Sequence, residues 1–436
     1  INMNHNSFRV LAEGVSVSNN TWETGLANND LIIGPTGSGK TRSYVLPNLM
    51  DTQESFIVTD TKGSLCKQAG PLLEQRGFQV IELNFSDLFH SPWGYNPFRF
   101  IRWDEERGCH QEQDILTVSA AMVPVDDPRQ PFWELIARNM MEALVAYTLE
   151  CLPPEEHHMG SVIRLFEETG SPQVLDGLMM ELSGLNPNSF AVSRWRRFQT
   201  CQKADKMYGS ILGILSQKIS GFGFSGAEKM FLNPRQLDFA EVSRRKTAVF
   251  VKVSDCDFSL ASLTSLFYTQ ALQTLIAEAD GRPDNRLKIP VRLYLDDFAN
   301  LNVPDFDKTI SVVRSREISV SVMLQSVTQL ESGYGHAKAM TIIDNCDHLL
   351  YLGGQSLDTA RFIGSKANKP EWGILNMPLG EAWLFERGSA PRAVRKYNLK
   401  KHPLYCQLPE YAAAHPVSSN TSDQAVTQKM LFSAGM

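Results

Sequence analysis

No apolar run in the 436-residue chain approaches the roughly 20 residues needed to span a bilayer, so the sequence reads as a soluble chain. The opening residues carry no basic stretch followed by an apolar one, which excludes a secretion signal. Residues 8–11 already look like a strand, so the start reads as mid-protein, with an upstream segment expected to precede it. The seven cysteines are scattered, and no two stand at the two-residue gap that zinc and redox sites favour. They read as reduced cytosolic thiols. Nor is there an excess of basic residues: 42 Lys and Arg stand against 48 Asp and Glu, a net charge of −6. That is the opposite of a whole-surface nucleic-acid binder, although a ring-shaped motor can gather basic groups in its channel.

What is present is an ordinary globular composition, 43% hydrophobic and 21% charged, over a length that predicts two or three domains, with two favoured once the motifs are placed. Short apolar runs at 31–33, 55–59 and 78–83 are each followed by a turn, and the first two then by a helical pattern. This starts a parallel sheet with crossover helices. From 105 to 241 the strands vanish, and helices are predicted over 115–122, 132–151, 161–168, 172–182 and 206–219. Strands resume at 247–253, 291–296, 318–324, 348–352 and 381–385, with a helix over 260–278. The expectation is an α/β nucleotide-binding domain from 1–104 and 242–411, an inserted all-α domain over 105–241 with its own core, and a flexible tail over 412–436.

Gly34, Pro35, Thr36, Gly37, Ser38, Gly39, Lys40 and Thr41 match the phosphate-loop pattern in full, directly after a strand and directly before a helix. Glycines let backbone N–H groups converge on phosphate oxygens. Lys40 neutralises the β- and γ-phosphates of a nucleoside triphosphate, and the Thr41 hydroxyl holds Mg²⁺. The metal needs an acidic partner, and the strand at 291–296 ends in Asp296 and Asp297. Asp296 is the metal carboxylate, acting through water; Asp297 is the base that orients the attacking water. The next strand ends in Gln325-Ser326, where an amide senses the γ-phosphate if this strand lies between the other two; the blander reading is a helix cap. Arg314 and Arg316 precede that strand, as groups facing a neighbouring subunit's nucleotide or as a solvated loop. Asp60-Thr61-Lys62-Gly63 ends the second strand as a turn or as a further charged site. Arg194-Trp195-Arg196-Arg197-Phe198 interleaves cations with aromatics as a DNA-contacting segment would, but reads better as an amphipathic helix with its aromatics in the core.

Beyond these residues, ordered segments resemble the type IV secretion coupling proteins, the conjugative DNA-transfer ATPases related to TraG and TraD. The similar segments are Asp60 to Ser64, Tyr95-Asn96-Pro97, Pro131-Phe132-Trp133-Glu134, Leu295 to Leu301 with Pro304-Asp305-Phe306, Arg314-Ser315-Arg316, Leu324-Gln325-Ser326, Gln329-Leu330, Asn345-Cys346-Asp347, Leu352-Gly353 and Asp358-Thr359-Ala360. The resemblance implies a RecA-like P-loop NTPase domain with an all-α domain, forming a homo-hexameric ring at the cytoplasmic face of the bacterial inner membrane. It implies ATP and Mg²⁺ as cofactors, DNA and relaxase or other secreted proteins as substrates, and secretion-channel components as partners. It also suggests Arg314 as an arginine acting in trans. Members usually begin with a transmembrane anchor, so this fragment alone is expected to be monomeric. The family usually has Glu at the position of Asp297, Pro at that of Thr61 and Glu at that of Ser64. Two other readings are a related DNA translocase and a nucleotide-dependent recruitment module with weak hydrolysis.

Overall fold

The computed structural model describes residues 7–125, 129, 131–168, 172–200, 205–254 and 256–415. Its strands are β1 (Phe8–Ala12), β2 (Val15–Ser18), β3 (Asp30–Ile33), β4 (Ser55–Asp60), β5 (Gln79–Asn84), β6 (Trp103–Asp104), β7 (Cys109–His110), β8 (Thr247–Lys252), β9 (Val291–Leu295), β10 (Ile318–Leu324), β11 (His348–Tyr351), β12 (Glu381–Glu386) and β13 (Arg392–Arg395). Nine of them form one sheet in the order β13-β12-β11-β3-β10-β9-β4-β8-β5. From β11 to β5 every pairing is parallel, while β12 and β13 add an antiparallel edge.

Every residue of β3, β4 and β9 is buried, because helices cover both faces of a parallel sheet. The two-residue strand period divides these residues between two cores. Leu31, Ile33 and Ile57 join one apolar cluster, whereas Ile32, Phe56 and Val58 join the other. The continuous apolar runs in the sequence therefore mark the centre of the sheet.

The segment between β7 and β8 is helical, with Phe132–Cys151 as its spine against helices Phe190–Gln199 and Asp205–Ile219. The separate core expected of this segment from its sequence is not found among the described residues. Its apolar interior is continuous with one face of the sheet. The join is aromatic: Phe239, near the end of the segment, packs on Phe100 at 4.6 Å, on Phe267 at 5.0 Å and on Tyr95 at 6.2 Å. The Phe239–Phe267 pair is edge-to-face, an arrangement that aromatic rings favour over a face-to-face sandwich.

In helix Phe190–Gln199, Trp195 and Phe198 are buried, and Arg194 pairs with the buried Glu142 at 3.4 Å. The arrangement is the amphipathic helix, with aromatics used for packing. Of the expected tail, residues 412–414 belong to the helix Pro409–Ala414, and 416–436 lie outside the described residues. No helix among the described residues is long and apolar enough to cross a membrane.

Candidate functional site

The phosphate loop leaves β3 at the carboxyl edge of the sheet, and its first amide, at Gly34, still donates to Leu324 of β10 at 3.0 Å. A tight turn follows, closed by Ser38 N–H on the Pro35 carbonyl at 3.1 Å. Gly37 and Gly39 have φ of 81° and 100°, a region closed to residues with a side chain except at a cost. At Gly34 a Cβ would lie 2.4 Å from Ser38 Oγ, so the loop can curl only around a bare backbone. Lys40 is buried, its Nζ donating to the Gly34 carbonyl at 2.7 Å across the mouth of the loop. The helix then begins with a π turn, Thr41–Val45, and continues as Leu46–Asp51.

β10 lies between β3 and β9, pairing with both in parallel register. This brings the ends of three strands together. Asp296 and Asp297 follow β9, Gln325 follows β10, and the loop follows β3. Asp297 takes a left-handed conformation, φ 49° and ψ 41°, which Asp tolerates better than most residues. Its amide donates to Asp296 Oδ1 at 3.0 Å, and its own Oδ1 accepts from Gln325 Nε2 at 3.0 Å. Ser326 is the residue that caps the following helix, through Gln329 N–H at 3.2 Å. Gln325 is thus left to bind Asp297. Burial pushes the Asp296 carboxyl up to about 6, with Lys40 opposing the rise and Asp297 and Asp60 adding to it. A carboxylate in that setting favours a cation.

Asp60 accepts from Leu65 N–H at 2.7 Å and is buried, so it holds the start of the helix Leu65–Gln75. Gly63 has φ 63°, and a Cβ there would lie 2.5 Å from Lys252 Cε. This strand end is a structural turn. Arg314 and Arg316 lie before β10, at the opposite, amino edge, and the seven residues of β10 at about 3.3 Å each set them some 20 Å from Gln325. Arg316 is paired with Asp280 at 2.7 Å, whereas Arg314 makes a long 3.4 Å bond to the Thr21 carbonyl. Neither enters this chain's own site. Sequence reasoning missed Lys396, whose Nζ donates to the Ser38 carbonyl at 3.0 Å. It stands alone after a strand without an apolar pattern, and no motif signals it.

A parallel sheet carrying a phosphate loop, two acids and a glutamine on adjacent strand ends, with an all-α portion, defines a RecA-like P-loop NTPase fold. Residues 4–367 match the family described as Type IV secretory system Conjugative DNA transfer, and the chain belongs to it. It is 21% identical to protein VirD4 of Rhizobium rhizogenes over 385 residues, 82% of this chain and 52% of that protein. The chain thus spans about half the length of the curated relatives it matches. Among solved structures it resembles plasmid coupling protein TrwB in complex with the ATP analogue ADPNP, with TM-score 0.64 and 16% identity over 89% of each chain. TrwB in complex with ADP and Mg²⁺ matches with TM-score 0.63 at the same identity and coverage.

Proposed function

We propose that this chain is the motor part of a coupling ATPase, which binds ATP with Mg²⁺ and uses its hydrolysis to pass DNA, or protein-bound DNA, to a type IV secretion channel. The observation that carries the reading is the Gln325–Asp297 hydrogen bond on the strand end between the loop and Asp296. It supports hydrolysis because it sets an amide and a carboxylate beside each other next to the loop.

The ligand fits the residues: the loop admits no side chain at Gly34, Gly37 and Gly39 take the positive φ that a tight loop around a phosphate requires, and the half-buried Asp296 carboxyl lacks a full counter-charge. Loop amides and Lys40 would hold the phosphates, with Thr41 and Asp296 on the metal side, Asp296 through water. Mg²⁺, when bound, would supply positive charge against the negative charge that develops during phosphoryl transfer. Asp297 orients the attacking water and accepts its proton, and the Gln325 amide fixes the Asp297 carboxylate while it does so. Arg314, at the far edge, acts on the nucleotide of a neighbouring copy in a homo-hexameric ring at the cytoplasmic face of the membrane. The domain limits 1–104 with 242–411, 105–241 and the tail from 412 belong to the same reading. A relaxase or another secreted protein is the cargo, and channel components are the partners.

The test is ATP turnover with and without single- and double-stranded DNA, alongside mass in solution. The reading predicts low basal turnover by a mostly monomeric fragment. It also predicts stimulation by DNA that promotes assembly, fading as salt rises. Strong turnover independent of DNA and of protein concentration would contradict it.

A further inference from the structure

The antiparallel edge of the sheet leads back to the phosphate loop. Tyr351 pairs with Trp383, and Glu381 with Arg395, so β13 runs parallel to β11 and ends at the carboxyl edge. The next residue is Lys396. Its amide donates to the Gly380 carbonyl at 2.9 Å, and its Nζ reaches the Ser38 carbonyl at 3.0 Å. Downstream, Glu410 grips Arg42, the neighbour of Thr41, through two bonds of 2.8 and 3.0 Å. One segment, 396–410, therefore touches the loop at Ser38 and again just past its end.

The charge on Lys396 is the unusual part. Burial lowers its pKa, and no carboxylate among the described residues offsets that effect. Lys308, by contrast, has Asp305 at 2.8 Å. A half-buried ammonium without a counter-ion is costly, and an anionic ligand beside it removes the cost. An ammonium also has three donors, and the Ser38 carbonyl occupies one.

We propose that Lys396 is a nucleotide-binding residue, supplied from the far edge of the sheet, which takes the polyphosphate of a nucleoside di- or triphosphate as its counter-charge. This rests on the nucleotide reading of the loop. Lys40 meets the phosphates from the helix side, and Lys396 meets them from beside Ser38. The segment 396–410 forms that wall of the site.

Affinities of the full chain for Mg-ADP and Mg-ATP would be measured for the parent, Lys396→Met, Lys396→Arg and Lys40→Ala, with melting temperatures in the absence of nucleotide. Lys396→Met should bind both nucleotides roughly tenfold more weakly, as expected for loss of one charge-assisted hydrogen bond. Lys396→Arg should recover most of the loss. The nucleotide-free melting temperature should stay close to the parent's, and at saturating ATP the defect should appear in KM more than in kcat. Parent-like affinity of Lys396→Met would overturn the proposal. So would a loss that Arg does not repair and that a lower nucleotide-free melting temperature accompanies, because Lys396 would then only tie β13 to the loop. If the parent and Lys40→Ala both fail to bind nucleotide, the reading of the loop itself falls. If the parent binds and only Lys396→Met is unaffected, this inference alone falls.

Discussion

The two edges of the sheet use charge in opposite ways, on the same strands. β3 starts at Asp30 and leads to the phosphate loop; β9 carries Arg292 near its start and leads to Asp296. At the amino edge the charges around Asp30 are buried and matched, while burial raises the neighbouring Glu54 carboxyl. Arg9 holds Asp30 at 2.7 and 2.9 Å and donates to His348 at 2.9 Å; Arg292 lies 3.5 Å from Asp30 and 3.7 Å from Glu54; and the Tyr44 hydroxyl donates to Asp30. Burial pushes the Asp30 carboxyl up, but Arg9, His348 and Arg292 outweigh it and hold it far below the ordinary carboxylate range. At the carboxyl edge burial wins, and Asp296 rises to about 6. A matched charge fixes structure. An unmatched one at the mouth of a loop is kept for a ligand.

The sharpest challenge to this contrast is Arg314, which sits at the structural edge but whose side chain, among the described residues, hydrogen-bonds to the Thr21 carbonyl alone, at 3.4 Å. On the proposal that it completes a neighbour's site, its loss should cost about three to five orders of magnitude in turnover. Arg314→Ala subunits and Lys40→Ala subunits should each be inactive under conditions where the parent forms rings. Mixed rings should regain part of the activity at interfaces pairing an intact loop with an intact arginine. Full activity of Arg314→Ala alone, or no recovery in demonstrably mixed rings, would place this arginine with the structural charges.

Next in size is Asp30→Asn, which leaves Arg9 and Arg292 facing an amide. Breaking a buried pair from one side should cost about 3–5 kcal/mol in chemical denaturation. Replacing Arg361, whose partner Glu371 is exposed, should cost under about 1 kcal/mol. Equal costs would erase the distinction between the edges.

The smallest effect has the opposite sign. Asp296 has a folded pKa of about 6, above its ordinary value of 3.8, so its ionisation disfavours the folded state as pH rises through that interval. In metal-free buffer Asp296→Asn should be more stable than the parent by about 1 kcal/mol at pH 8, after allowing for solvent screening of a partly exposed group. The advantage should vanish near pH 4. A loss of stability at pH 8 would mean that Asp296, like Asp30, is a structural charge.

Much of the carboxyl edge was legible because its constraints are local. A phosphate loop writes its glycines and lysine into eight consecutive residues, and strands buried on both faces write themselves as apolar runs. The placement of Gln325 followed once β10 was set between its neighbours. The amino edge was not legible, since Arg9 and His348 are 339 residues apart and each looks like any polar residue in a strand. β13 is largely exposed and has no period to read, which hid Lys396 with it. The continuity of the helical segment with the sheet was hidden too, because aromatic positions do not reveal which partner they pack against.

The central question about this molecule is whether its carboxyl edge performs hydrolysis rather than binding alone. Asp297→Asn tests this most directly, with ATP affinity and turnover measured on the same preparation, because the amide keeps the size of the side chain and its hydrogen bond to Gln325 while losing the capacity to accept a proton. The expected result is affinity within about threefold of the parent and turnover reduced by about a hundredfold or more. Parent-like turnover in the presence of DNA would contradict the account and leave a nucleotide-ordered recruitment module in its place.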